Sequence, residues 1–398
     1  MTARVPAKVN LQLSVGPPGA DGYHDLVTVF HALALFDEVT VTSANTDSVV
    51  VTGEGARSVP LGPDNLAARA VAALVDAVGP GVRDSPGLAI EIRKRIPVAA
   101  GLAGGSADAA GALVACNELW GTGLSHQELS EVAARVGSDV GFALLGGTAV
   151  GLGRGDRVTP ALAAGTYHWV LAFADGQLST PAVYAACDRL RARAAGPGPA
   201  GSAGSAGKPA SGGRAAPDGK PASGGRPAPG STADPGGRAA PGVTSASAGR
   251  PASGGKAPGG KPAPGGRPGT VGPPQLDTAL MAALRSGDPA ALGPLLSNDL
   301  QPAAVSLLPR LRQTLAAGRE YGALGGIVSG SGPTCAFLAR DGAHARDLAV
   351  ALAGAGVCRT VASVTGPAPG ATVISVPADG RPGGLPGGSE AGRPAGRP

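Results

Sequence analysis

The sequence predicts an α+β protein built in two lobes, and three observations carry that prediction. Strand-like and helix-like segments follow one another in mixed order, with strands bunched at the start, rather than in a regular strand–helix–strand array. Glycine and proline, 67 and 38 of 398 residues, concentrate in one internal segment and in the tail. Setting those aside leaves roughly 300 residues, enough for two modest cores.

The elements follow in chain order. Val5–Val15 alternates loosely and reads as a strand. Leu26–Phe36 and Glu38–Ser43 are β-rich, with a turn expected near Phe36-Asp37. Asp64–Val78 reads as a helix, with Leu66, Ala70, Val71 and Leu74 on one face and Gly79-Pro80 as its stop. Leu88–Ile96 alternates Leu88, Ile90 and Ile92 against Glu91 and Arg93, as a half-buried strand does. A Gly/Ala-rich turn over Pro97–Gly105 leads into an Ala-rich helix, Ser106–Trp120. Ser125-His-Gln-Glu128 is a capping box for a helix to about Val136. Gly146–Leu152 and His168–Phe173 read as strands and Pro181–Arg193 as a helix. Further on, helices are expected over Leu276–Arg285, Pro289–Leu296 and Ala303–Ala317. A Gly-rich strand–turn–strand follows over Leu324–Leu338, then a helix over Ala343–Ala353 and strands over Arg359–Thr365 and Ala371–Val376.

Between Ala195 and Pro274 the only aliphatic residues larger than Ala are Val243 and Val271. Such a stretch cannot bury enough apolar surface to offset its ordering entropy, so it is expected to be disordered, as is the tail 377–398. Its near-copies (KPASGGR at Lys208–Arg214 and Lys220–Arg226, RPASGGK at Arg250–Lys256) have no apolar face to stack, so they are no solenoid. The net charge of +5 is misleading: the segment carries nine basic and two acidic residues, so the rest of the chain is slightly acidic. With no aromatic residues interleaved, base stacking has no platform there, and no nucleic-acid partner is expected. Cys116, Cys187, Cys335 and Cys358 have no metal spacing and read as reduced thiols, and no metal-binding cluster is expected. The opening residues lack a signal-peptide pattern and no run is long and apolar enough to span a bilayer, so a cytoplasmic protein without membrane contact is expected.

The strongest candidate site is the turn before the Ala-rich helix, Pro97-Val-Ala-Ala-Gly-Leu-Ala-Gly-Gly-Ser-Ala107. Residues without bulk let the backbone wrap an oxyanion, and a helix N-terminus offers free N–H groups and a favourable dipole. Ser106 is placed to cap the helix or to meet a phosphate oxygen or its magnesium. The spacing fits neither a Walker loop nor a dinucleotide fingerprint.

Here the residues resemble a family. Pro97, Gly101, Leu102, Gly104, Gly105 and Ser106 resemble the second motif of the GHMP kinases, Pro6-Ala-Lys-Val-Asn-Leu11 their N-terminal motif, and Gly325–Ala339 their Gly-rich third motif. The resemblance implies a two-lobed GHMP kinase fold. Its N-terminal lobe would be like domain 2 of ribosomal protein S5, over 1–160 with the phosphate loop. Its C-terminal lobe would be ferredoxin-like, over 161–194 and 275–376. It implies ATP with magnesium as cofactor, an alcohol as acceptor, and binding of ATP by Pro97, Val98, Ala99, Ala100, Gly101, Leu102, Ala103, Gly104, Gly105, Ser106 and Ala107. Asn65 and Lys94 match positions near the adenine. Ala99, Ala100 and Ala103 stand where some relatives have Gly, which stiffens the loop.

Within the family, Ala20–Leu26 (ADGYHDL) and Ser179–Tyr184 resemble segments that recognise a cytidine-diphosphate-linked methylerythritol, an intermediate of the non-mevalonate route to isopentenyl diphosphate. The resemblance makes Lys8 and Asp139 the catalytic pair: Asp139 accepts the proton of the substrate hydroxyl and Lys8 steadies the moving phosphoryl charge. Tyr23 and Tyr184 would sandwich the cytosine, His24 would offer its edge a donor and an acceptor, and Asn10 and Thr180 would meet the diphosphate or the alcohol. Taken singly, Lys8 reads as a surface lysine and Asp139 as the helix cap of GSDV. The alternatives are another small-molecule kinase of the family, of homoserine or mevalonate type, and a non-catalytic nucleotide-binding regulator. A monomer or weak homodimer is expected.

Overall fold

In the first strand, β1 (Thr2–Pro18), the odd-numbered residues Ala3 to Leu11 are apolar and wholly buried. The intervening Lys8, Asn10 and Gln12 are also buried, at 6, 3 and 5% exposure. An ordinary amphipathic strand turns such residues to water. Here the polar face is covered by a second layer of structure, which makes it the wall of a cleft. The computed structural model describes residues 1–195 and 272–374, so most of the expected insert 195–274 and all of the tail 377–398 lie outside the described residues.

The remaining elements are β2 (His24–Ala44), β3 (Ser48–Gly53), α1 (Leu66–Val78), β4 (Gly87–Lys94), α2 (Gly104–Leu119), α3 (His126–Val136), α4 (Ser138–Leu145), β5 (Thr148–Gly153), β6 (Arg157–Pro160), β7 (Tyr167–Phe173) and α5 (Thr180–Ala194). Then come α6 (Thr278–Ser286), α7 (Pro289–Leu292), β8 (Ser297–Asn298), α8 (Gln301–Leu307), α9 (Arg310–Glu320), β9 (Gly325–Val328), β10 (Cys335–Ala339), α10 (Gly342–Gly354), β11 (Thr360–Gly366) and β12 (Thr372–Ile374).

One sheet runs β12-β1-β2-β4-β3, with β5 on β2, β6 on β5 and β8 beside β1. The other runs β11-β7-β10-β9, all antiparallel. Numbered within the second lobe that is the order 4-1-3-2, with helices between strands 1 and 2 and between 3 and 4, as expected for a ferredoxin-like lobe. Helix α2 packs on β1 and β2. Its small residues permit a close approach: a Cβ at Gly111 would lie 2.9 Å from Val39 Cγ2 and 3.3 Å from Val5 Cγ1.

Several expectations need correction. No turn occurs at Phe36-Asp37; β2 runs straight through, with a bulge that shifts its register against β1 between Phe36 and Leu33. The turn residues are overruled because the buried Asp37 carboxylate accepts from the backbone N–H groups of Arg95 and Ile96 at the end of β4. The helix expected over Ala303–Ala317 is two helices, broken at Pro309, whose ring cannot continue α8. Pro289–Leu296 is a short α-helix followed by a 3₁₀ turn at Gly293–Leu295. Ser106 does not cap α2, which starts two residues earlier with Ala103 as its N-cap. Strands β3, β6 and β8 were not expected; Asp139, read singly as the cap of a helix in GSDV, lies instead in the first turn of α4, with Gly137 as its cap. The Ser125 capping box is formed as read, with Glu128.

Candidate active site

The glycine turn is held from two sides. Leu102 O accepts from Lys8 N of β1 at 3.2 Å. Ala100 O accepts from Thr334 N at 3.3 Å, and Gly101 O from the Ser329 hydroxyl at 3.0 Å. The first and third motifs thus staple the second. The fit explains Gly101: its φ is +76°, and a Cβ there would overlap the Ser329 carbonyl oxygen. Ala99 and Ala103 hold φ of 54° and 58°, left-handed backbone that costs an alanine about 1–2 kcal/mol. A loop kept there by its neighbours is organised before any ligand arrives.

A cleft of about 430 Å³ opens over the loop. Ala99, Ala100, Gly101, Ala103, Gly104 and Gly105 form one wall, Gly330–Gly332 of the third motif another, and Lys8, Asn10, Ser138 and Asp139 the end. Pro97, Leu102 and Ala107 are buried, so only their backbone can serve a ligand. Ser106 lies in the first turn of α2, away from the cleft lining.

Lys8 Nζ stands 3.8 Å from Asp139 Oδ2 and donates to Asn10 Oδ1 at 2.6 Å. Asn10 Nδ2 in turn donates to Thr28 Oγ1 at 2.8 Å, whose hydroxyl donates to Gln12 O at 2.7 Å. Asn10 therefore aims Lys8. Burial pulls the Lys8 ammonium below its ordinary range, and the Asp139 charge opposes that shift. Asp139 sits in the first turn of α4, with Gly137 as the cap, and its side chain is 29% exposed. Two residues 131 positions apart in sequence thus meet where the turn, the third motif and β1 converge.

Beside this cleft a second cavity, about 280 Å³, is lined by Asn65, Leu66, Lys94, Val98, Gly105 and Asp108, among others. Neither polar side chain expected there is free. Asn65 Oδ1 caps α1 through Ala67 N and its Nδ2 donates to Pro60 O. Lys94 Nζ donates to Asp37 Oδ2 at 2.5 Å, Asp108 Oδ2 at 2.6 Å and Gly104 O at 3.1 Å. All three ammonium hydrogens are accounted for, so Lys94 braces the start of α2. Burial disfavours its charge, but Asp108 and Asp37 outweigh that and hold its pKa above the ordinary value. One cation cannot balance two buried carboxylates: burial pushes Asp108 up to about 8, with Lys94 opposing and Asp37 adding to the rise.

On the other side lies a wider cavity of about 810 Å³, lined by Tyr23, His24, Tyr184 and Asp188 among others. The His24 and Tyr184 rings are 5.1 Å apart at 39°. His24 Nε2 bonds Asp188 Oδ1 at 3.0 Å, which leaves one ring nitrogen for a ligand. Burial, with help from Asp139, lifts the Tyr184 phenol to about 12, so it keeps its proton. Tyr23 is 57% exposed, and its ring lies under the Arg154 guanidinium, 3.8 Å from the centroid. Thr180 Oγ1 bonds Ser331 Oγ at 2.9 Å and ties α5 to the third motif. Asp188 was absent from the sequence reading, although it follows Tyr184 by one helical turn on α5 and so shares its face. Arg154, Asp37 and Asp108 were also missed, and they carry no local signal.

The family model for the N terminal domain of GHMP kinases matches residues 65–147, and the model for their C terminal domain matches 280–358. The chain is 47% identical to a 4-diphosphocytidyl-2-C-methyl-D-erythritol kinase of Nocardia farcinica, over 93% of this chain and 95% of that one. It is 46% identical to the protein of that name from Mycolicibacterium smegmatis, over 95 and 94% of the two. A crystal structure of 4-(cytidine 5'-diphospho)-2C-methyl-D-erythritol kinase superposes with a TM-score of 0.60 at 28% identity, covering 92% of this chain and 98% of that one. A homoserine kinase from Cytophaga hutchinsonii, 16% identical over 94 and 97% of the two chains with a TM-score of 0.56, shares the fold. The chain belongs to the GHMP kinase family, among the 4-diphosphocytidyl-2-C-methyl-D-erythritol kinases.

Proposed function

We propose that the chain transfers the γ-phosphate of ATP to the 2-hydroxyl of 4-diphosphocytidyl-2-C-methyl-D-erythritol, in the non-mevalonate route to isopentenyl diphosphate. The observation that carries this reading is the meeting of Lys8 and Asp139 at 3.8 Å at the end of the glycine-walled cleft, with a tyrosine- and histidine-lined cavity adjoining. Phosphoryl transfer asks mainly for alignment and positive potential. In this reading the backbone of residues 99–105 cradles the phosphates, helped by the start of α2. Asp139 takes the proton of the acceptor hydroxyl. Lys8 faces both that carboxylate and the developing charge, and Asn10 holds it there. The adenine occupies the cavity between Asn65 and Lys94, whose side chains shape it while their hydrogen bonds stay internal. The cytosine lies against Tyr184 and His24, with Tyr23 closing the rim.

Magnesium fits this cleft: the polar groups on its lining other than Lys8 and Arg154 are oxygens or amides, and Asp139 supplies a carboxylate, a donor set that suits a hard cation arriving on the triphosphate. Bound there, it would neutralise charge on the β- and γ-phosphates. We further read residues 1–160 and 161–194 with 275–376 as the two domains, in a cytoplasmic monomer or weak dimer.

The test is ADP release with and without the cytidylated alcohol. Release that depends on it, and that homoserine or mevalonate does not replace, supports the reading. ADP release indifferent to the cytidylated compound overturns it.

A further inference from the structure

We propose that Arg154 grips the diphosphate of the cytidylated substrate and so makes the protein prefer a nucleoside diphosphate ester to a bare nucleoside. The inference rests on the function proposed above and adds a specificity residue to it. The phosphoryl-transfer cleft and the base cavity share five lining residues: Leu26, Ser138, Arg154, Thr180 and Tyr184. A molecule with its base in one cavity and its reacting alcohol in the other must pass its linker through that junction. The linker is a dianion, and Arg154 is the cation among the five.

Other charges near the junction do not serve. Lys8 is engaged with Asn10 and Asp139. Arg135 lines the base cavity but not the cleft, so it does not stand at the junction. The acids lining the two cavities, Asp139, Asp156 and Asp188, would repel a diphosphate entering alone. Arg154 stands at the tip of the β5–β6 hairpin, between Gly153 and Gly155 with φ of +71° and +88°. Its guanidinium stacks on Tyr23 and reaches Asp21 Oδ2 at 2.9 Å, with 54% of the side chain exposed. One nitrogen donates to Asp21, and no other hydrogen bond of the guanidinium is found among the described residues. A planar fork held by stacking is suited to bidentate capture of phosphate. The same contacts attach it to the loop of Asp21-Gly-Tyr-His24, so that binding the linker also steadies the rim of the base cavity.

The test is calorimetric titration of the full-length protein with cytidine and with CDP, without magnesium. Wild type should bind CDP roughly tenfold more tightly than cytidine, about one charge-assisted contact's worth. Arg154→Ala should bring that ratio close to one, and Arg154→Lys should keep part of it. In steady-state assays Arg154→Ala should raise KM for the cytidylated substrate by about the same factor without raising KM for ATP. Asp21→Asn, which releases the arginine from its carboxylate, should preserve or widen the CDP preference. An Arg154→Ala protein with the wild-type ratio overturns the proposal. So does an Asp21→Asn protein that loses the ratio as fully, since Arg154 would then only anchor the loop. If wild type binds the two probes equally, the base site stands and this role falls; if it binds neither, the base site itself is wrong and this role goes with it.

Discussion

Two lysines of this protein face carboxylates, and they do so in opposite ways. Lys94 is sealed between Asp37 and Asp108 at 2.5 and 2.6 Å, with side chains no more than 5% exposed. Lys8 is nearly as buried, yet its carboxylate stands off at 3.8 Å and is 29% exposed. In the tight site every hydrogen of the Lys94 ammonium is taken, and the site ties β2, β4 and α2 together. The loose site leaves an ammonium and a carboxylate at the edge of a cleft, open to whatever binds there. Closeness of an ion pair therefore marks architecture here, and separation, in the proposed reading, marks chemistry.

The largest expected effect comes from breaking the loose pair. Asp139→Asn keeps the shape and removes the proposed proton acceptor, so kcat should fall roughly 10²–10⁴-fold while ATP still binds in a direct titration. Near-normal turnover would show that another group takes the proton. The corresponding break in the tight site should appear in stability rather than in chemistry. Lys94→Met leaves the buried Asp37 carboxylate without its cation, next to Asp108, a loss of about 3–5 kcal/mol, read as a lowered denaturant midpoint. Combining it with Asp37→Asn and Asp108→Asn should recover part of that loss. If Lys94→Met were neutral for folding, the brace would be a misreading.

A pH profile sharpens the contrast. Burial lowers the Lys8 pKa from its ordinary 10.5, so the cation is lost earlier than a surface lysine would lose it as pH rises. The alkaline limb of kcat/KM should therefore lie below 10.5, and Lys8→Arg, which cannot deprotonate, should retain some activity without that limb. A wild-type profile flat to that pH would separate Lys8 from the chemistry.

The same contrast explains what the sequence revealed and what it concealed. The loose site was legible because its parts lie in motifs: Lys8 in PAKVNL, the turn in PVAAGLAGGS, the third motif in GIVSGSGP. The tight site was not, because Asp37 resembled a turn residue and Asp108 sat in an Ala-rich helix without a partner in view. Burial of a charge depends on what packs over it, and that follows from tertiary contacts between β2, β4 and α2. Lys94, expected near the adenine, lines the cavity proposed to hold it, but its bracing contacts could not be read until its three acceptors were known. Helices with caps or apolar faces were found to within a few residues. Strands lacking such punctuation, β3, β6 and β8, were missed, and Pro309 was passed over inside a helical pattern it terminates.

The smallest expected effect lies inside the tight site. Asp108 in the folded protein holds its proton up to about pH 8, against an ordinary value of 3.8. The folded state therefore binds a proton that the unfolded chain has already released, so the sign follows from linkage. The stabilisation is complete below the ordinary value, declines as pH rises, and is gone once pH has passed through about 8. The slope can reach about 1.4 kcal/mol per pH unit. Asp108→Asn keeps the volume and the hydrogen bond to Lys94 but cannot ionise, so it should flatten this part of the curve. Melting temperatures of the two proteins between pH 5 and 9 should converge or cross as pH rises, the wild type losing more. Parallel curves would mean that the wild-type proton on Asp108 is not there, and that Lys94 holds two full negative charges in the core.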